Sequence, residues 1–170
     1  MNVIEAIRSK RAVRAYSREA LPREVVTSIL NAGRLAQSSK NTQPWHFIAI
    51  CEKTKLAELA ATSTNIAFLA DTALTVALIT PHPSVKETIL FDAGQAAANM
   101  QLAAWELGVV SCLGTVYEVE RARGVLGFPT DRHLHIAVGF GYPLPGDDKP
   151  RKGRMGARRT LDDVVHWNQW

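Results

Sequence analysis

The sequence predicts one globular domain that mixes helices with strands. Five segments place apolar residues at helical spacing, and four short apolar runs bounded by turn residues read as strands. A chain of 170 residues, 46% apolar and 21% charged, can fill one core but not two independent ones.

Residues 2–10 open the chain as a helix with Val3, Ile4 and Ile7 at helical spacing. A second helix follows Pro22, with Val25, Val26, Ile29, Leu30 and Leu35 on one face. Residues 45–51 read as a buried strand, 53–61 as a helix, and 73–80 (ALTVALIT) as a second strand ended by Pro81-His82-Pro83. Ser84 and Glu87 fit a capping box that opens a long helix, with apolar residues at 85, 89, 93, 96, 97, 100, 103, 104 and 107 and a stop at Gly108. The middle of that helix, Ala93-Gly94-Gln95-Ala96-Ala97-Ala98, is built of small side chains, so a core neighbour, another helix or a flat ligand can approach its backbone closely. Strands near 109–113 and 133–140 flank a short helix at 119–126, which the Gly127-Phe128-Pro129 break ends. A Gly/Pro/basic linker at 143–157 leads to a last segment, 161–170, whose Val164, Val165, Trp167 and Trp170 need a surface to dock on; a partner subunit is one candidate.

Composition removes several function classes. No run approaches the roughly 18 apolar residues of a membrane-spanning helix, and the N-terminus has no signal-peptide hydrophobic stretch, so a cytoplasmic protein without a membrane partner is expected. Cys51 and Cys112 sit in strand-like runs and read as buried small hydrophobes. Of the histidines at 46, 82, 133, 135 and 166, only His133 and His135 share a ligand spacing, and no third ligand follows, so no metal is expected. There is no Gly-x-Ser-x-Gly elbow, no Walker loop and no Gly-x-Gly-x-x-Gly after a strand.

Three clusters suited to an anion or a polar ring remain. Lys10, Arg11 and Arg14 lie at and beyond the end of the first helix. Arg158 and Arg159 close the run RKGRMGARR, part of a balance of 20 basic against 16 acidic residues and a net charge of +4. The segment SSKNTQPWHF, Ser38 to Phe47, sets short hydrogen-bonding groups at the mouth of a strand. A phosphate plus a polar aromatic ring describes a nucleotide-like cofactor. The first cluster taken alone equally fits the ordinary placement of cations at a helix C-terminus, worth roughly 0.3–1 kcal/mol.

In their order along the chain, these motifs resemble the nitroreductase family of flavin-dependent oxidoreductases. IRSKRAVRAY is similar to the family's Arg-Arg-Ser-x-Arg-x-Phe opening, SSKNTQPWHF to its Ser-x-x-Asn-x-Gln-Pro-Trp-x-Phe, and DAGQAAANMQLAAWELGVVSCLG to its Asp-x-Gly-x-Ala-x-Gln-Asn-x-x-Leu-x-Ala helix and the flavin turn after it. GFGYP and ARRTLDDVVHWNQW follow in the family's order. The resemblance implies an α+β fold with a central, mostly antiparallel sheet flanked by helices. It also implies an intertwined homodimer with shared FMN sites, one domain over 1–170 and a C-terminal arm from about 143.

By that resemblance Lys10, Arg11 and Arg14, with Arg158, hold the FMN phosphate and ribityl chain. Ala12, where the family often has Ser, and Arg159 are counted with them. Ser38, Ser39, Asn41 and Gln43 come from the partner subunit, Leu113 and Gly114 offer backbone groups near the reactive edge of the ring, and Asn65 is a further ring contact. Gln37 replaces the family's usual Pro, and the SCLGTVY turn is a residue shorter and lacks the common Trp. The family's chemistry is hydride transfer from NADH or NADPH through flavin N5 to a nitroaromatic, quinone or similar small-molecule acceptor in a ping-pong cycle, with no catalytic side chain required. Relatives of the fold also dehalogenate, oxidise azoline rings or fragment the flavin. Nucleic-acid binding through the basic tail is disfavoured, because aromatic residues do not interleave with its charges.

Overall fold

The structure is a computed structural model and describes residues 2–145 and 158–170. Its centre is a four-stranded sheet in the order β1-β2-β4-β3, formed by His46–Ile50, Leu74–Pro81, Arg132–Gly141 and Val110–Thr115 respectively. Each neighbouring pair is antiparallel, as the family resemblance implies. The central strands β2 and β4 are buried on both faces, which is why they read as nearly continuous apolar runs rather than alternating ones.

Helices cover both faces. On one, α2 (Arg23–Arg34) and α4 (Thr88–Glu106) bury Ile29, Ala93, Ala96, Ala97, Met100 and Ala104 against Leu74, Val76, Leu78 and Val138. The two helices approach closely at Gly33, where a Cβ would lie 2.1 Å from Met100 Cε. On the other face, α3 (Lys53–Ala60), a 3-10 segment over Thr64–Asp71 and α5 (Val119–Leu126) bury Leu56, Leu59, Ile66, Leu69 and Ala122 against Ile79, Leu134 and Ala137. A bulge between Leu78 and Ile79 joins these layers: Leu78 pairs with Ile136 and Ile79 with Leu134, so His135 has no counterpart on β2. Leu134 and Ile136, which a regular strand would aim the same way, therefore enter opposite cores.

The first helix, α1 (Val3–Ser9), is closed by a capping box between Asn2 and Glu5 at 2.9 and 3.0 Å. Only Ala6 of this helix is buried; Val3, Ile4 and Ile7 face outward. Gly108 and Gly127 both take positive φ, at the ends of α4 and α5, as their sequence positions predict.

Several sequence expectations need correction. The long helix begins at Thr88 rather than Ser84, because residues Pro83–Val85 form a separate 3-10 turn capped by the His82 side chain instead of a Ser84/Glu87 box. Val85 is consequently exposed, and Leu107, which caps the other end of the helix, is exposed as well. Leu35 caps α2 and is exposed rather than on its buried face. Cys51 falls just past the end of β1 and is exposed, whereas Cys112 is buried as expected. Trp45 precedes β1 but is buried against the α2/α4 core. Pro81 is the last residue of β2 instead of the break after it. Most of the basic linker, residues 146–157, lies outside the described residues, with Arg151, Lys152 and Arg154. Among the described residues, no helix is long and apolar enough to cross a membrane.

Candidate cofactor site

The segment leaving α1 runs beside β3. Ala12 bridges Ser111 in parallel and the Val13 N–H donates to the Ser111 carbonyl at 3.0 Å. Tyr16, buried, staples the far end of the segment: its hydroxyl donates to the Val13 carbonyl at 2.7 Å, and its ring packs where a Cβ on Gly141 would stand. Burial moves the Tyr16 phenol well above its ordinary value, so it stays neutral.

This anchoring sorts the three cations of the first cluster. The Arg11 guanidinium turns back to donate to the Arg8 and Lys10 carbonyls at 2.6 and 2.8 Å, so it caps the C-terminal end of α1, as the helix-dipole alternative predicts. Lys10 and Arg14 point the other way. Lys10 Nζ donates to Gln101 Oε1 at 3.2 Å, and Arg14 lies over the Phe68 ring at 5.7 Å. Burial lowers the Lys10 pKa first; the Cys112 thiol opposes that shift and Arg158 adds to it. Burial raises the Cys112 thiol, with Arg14 and Lys10 pulling it back. Lys10 and Arg14 thus lie within electrostatic reach of Cys112 on β3, and Arg158 lies within reach of Lys10. Arg159 is exposed next to Arg158, with no contact drawing it into the group among the described residues.

Like charges gathered beside a half-buried ammonium repel one another unless an anion joins them, and a phosphate accepts several charge-assisted bonds at once. The residues present therefore fit a phosphate-bearing cofactor. Ala12 contributes backbone only. Leu113 and Gly114 both lie inside β3, which runs on to Thr115 instead of ending at 113. Leu113 lines a cavity of about 220 Å³ with Leu78, Thr80, Ala93, Gly94 and His135. Gly114 faces the 3-10 segment, where a Cβ would stand 2.7 Å from Ile66 Cγ2. The Asn65 side chain donates to the Thr115 carbonyl and accepts from Ser63, so it tethers the 3-10 segment to the end of β3.

The polar loop is a separate, rigid feature. Lys40, Asn41 and Gln43 all have positive φ, at 52°, 54° and 45°, a conformation costing non-glycine residues roughly 1–3 kcal/mol each. Side chains hold it in place: the Ser39 N–H donates to Asp92 Oδ1 at 3.0 Å, the Gln43 N–H to Ser38 Oγ at 2.9 Å, and Lys86 Nζ to Ser39 Oγ at 3.0 Å. Asn41 and Gln43 remain exposed. Among the described residues, no hydrogen bond or ion pair joins this loop to Lys10, Arg14 or Arg158.

Sequence reasoning missed Gln101, Ser111, Tyr16 and Asp92. Asp92 and Gln101 had a readable signal, since each is a polar residue bordering the apolar stripe of a buried helix. Tyr16 and Ser111 had none, because their contacts join segments far apart in the chain.

The sequence model of the nitroreductase family matches residues 7–68 and 64–142. A Methanothermobacter thermautotrophicus protein provisionally named a NADH dehydrogenase/NAD(P)H nitroreductase is 29% identical, over 100% of this chain and 88% of its own length. An Archaeoglobus fulgidus protein with the same provisional name is also 29% identical, with 98% of both chains covered. Among solved structures, an FMN-dependent nitroreductase from Clostridium difficile superposes with a TM-score of 0.84 at 26% identity, over 99% of this chain and 100% of that one.

Proposed function

We propose, from the premise that the chain belongs to the nitroreductase family, that it is an FMN-dependent oxidoreductase drawing electrons from NADH or NADPH. A nitroaromatic, a quinone or a similar small molecule serves as acceptor, and the two substrates take turns in one site. The observation that carries this reading is the pair Lys10 and Arg14 set beside Cys112 on β3, with Lys10 held by Gln101 and Arg158 within reach of Lys10. The name of the Clostridium difficile structure supports FMN as the flavin.

Bound there, FMN supplies the two-electron chemistry, and no acid or base side chain is needed for hydride transfer itself. The chain's own residues bind and orient. Lys10, Arg14 and Arg158 hold the phosphate, while Arg11 keeps the end of α1 closed and Ala12 and Val13 keep the segment against β3. Leu113 and Gly114 present the β3 backbone to the ring, with Asn65 fixing the neighbouring 3-10 segment. Ser38, Ser39, Asn41 and Gln43 serve the site of a second copy, so the working unit is a homodimer. Its C-terminal arm, from about residue 143, offers exposed Leu161, Val164, Trp167 and Trp170 for burial on the partner. The chain acts as a single FMN-binding domain over residues 1–170.

The visible spectrum of the purified protein tests this reading. Flavin absorption that bleaches on anaerobic NADH or NADPH addition and returns with a quinone or nitroaromatic is expected. A colourless protein that cannot be reconstituted with FMN refutes it.

A further inference from the structure

Lys10 is a cation in a half-buried position, and its hydrogen-bond partner is an amide rather than a carboxylate. Gln101 is buried, 9% exposed, on α4. Lysine can only donate, so the Gln101 oxygen must face Nζ, at 3.2 Å, which turns the amide nitrogen to Ser111 Oγ, also at 3.2 Å. Ser111 is fixed in turn within β3, and its carbonyl accepts the Val13 N–H. Four residues further along the same face of α4, Trp105 Nε1 donates to Ser9 Oγ at 2.8 Å. The helix therefore grips the Ser9–Lys10 end of the cationic segment at two points.

We infer that Gln101 is a positioning residue, which aims the Lys10 ammonium at an anion through a neutral acceptor and leaves its charge uncompensated. The inference rests on the reading that the cofactor phosphate binds beside Lys10. A glutamate at 101 would make an ion pair with Lys10 and repel the phosphate. A leucine would leave the ammonium without its acceptor and the Ser111 hydroxyl without its donor. The neutral amide satisfies both groups and keeps the positive charge available. It also offers an anchor to a segment in which Ala12 supplies no hydroxyl.

The test compares FMN with riboflavin, which lacks the phosphate, by flavin fluorescence quenching on the full-length protein freed of flavin. Lys10 Nζ is titrated by NMR without flavin in parallel. Gln101→Leu should lower the preference for FMN about tenfold, leave riboflavin affinity within about twofold, and lower the Lys10 pKa further. Gln101→Glu should lower that preference more and move the Lys10 pKa up. Lys10→Met serves as the reference. Equal loss of FMN and riboflavin in Gln101→Leu means a merely structural role and overturns the inference. So does an unchanged preference in Gln101→Leu when Lys10→Met abolishes it, an outcome that leaves the phosphate site standing. An unchanged preference in both variants overturns the phosphate placement and the inference together. If Gln101→Leu does not fold, Ser111→Ala releases the other end of the amide. A lowered FMN preference in that variant supports the inference, and an unchanged one overturns it.

Discussion

Replacing Gly114 with alanine separates two roles for this β3 residue: packing against the 3-10 segment and close approach to a ligand. A Cβ here would stand 2.7 Å from Ile66 Cγ2 and 3.3 Å from Phe68 Cε1. Optimal carbon–carbon contact is about 3.5–4.0 Å, so the first pair is short by roughly 0.8–1.3 Å. Ile66 has no easy retreat, because it is 0% exposed in the core with Leu56, Leu69 and Leu134. Overpacking of this kind costs about 1–3 kcal/mol, and the reduced freedom of the unfolded alanine chain offsets about 0.4–1 of that. A net loss of about 1–2 kcal/mol lowers the melting temperature by about 2–8 °C, read by circular dichroism at fixed protein concentration. In an Ile66→Ala background the shortest of these contacts is gone and only the milder one to Phe68 remains, so Gly114→Ala should cost clearly less there. If Gly114→Ala instead melts like the parent and only loses flavin, the packing argument is wrong and the glycine serves ligand approach.

Three further outcomes are expected. Arg158→Ala should weaken FMN binding by about 10- to 100-fold, the worth of one charge-assisted bond, and leave the far-UV spectrum and melting unchanged because the residue is exposed; unaltered affinity would remove the tail from the site. A thiol reagent should label Cys51 rapidly in the folded protein and Cys112 only after denaturation, since burial both shields the Cys112 thiol and raises its pKa; two fast thiols would contradict the placement of β3. His133 is held below the usual imidazole value of 6.5, first by burial and then by His82, His135 and Arg123, with Glu120 opposing. The folded chain therefore binds fewer protons than the unfolded chain, and stability is lost as the pH falls through about 6.5 towards the folded value. The effect is small because His133 is only half-buried. His133→Asn should flatten the melting temperature between about pH 7 and pH 5.5, and an unchanged slope would assign the dependence elsewhere.

The strands were legible because β2 and β4 are covered on both faces and so read as apolar runs. Their edges were less so: β3 continues through Leu113 and Gly114 to Thr115, and a glycine in a strand carries the same letter as one in a turn. The false start of α4 has a similar cause. Ser84 and Glu87 have capping-box spacing, but Pro83 and the His82 imidazole had already closed a separate turn. For the site, residue types identified the cations but not their direction. Whether Arg11 faces a ligand or its own helix end depends on the path taken by residues 12–16, which long-range contacts to Ser111 and Tyr142 determine.

Helix α4 relates the two halves of the site to each other. At about 100° per residue, Ile89, Ala93, Ala96, Ala97, Met100 and Ala104 form one stripe, and these are its core residues. The opposite stripe carries Phe91, Gly94, Gln95 and Ala98, all exposed. Asp92 and Gln101 stand on the two borders between the stripes, about 180° and 13 Å apart. Asp92 holds the polar loop on one border, and Gln101 holds Lys10 on the other. A single chain therefore separates its hydrogen-bonding loop from its cations by the width of the helix. The exposed stripe between them carries the small residues Gly94 and Ala98 beside Phe91 and Gln95. In the proposed dimer, that face would be where a second copy brings its loop to the cations, a role for Gly94 and Ala98 that core packing does not supply, since both lie outside the core.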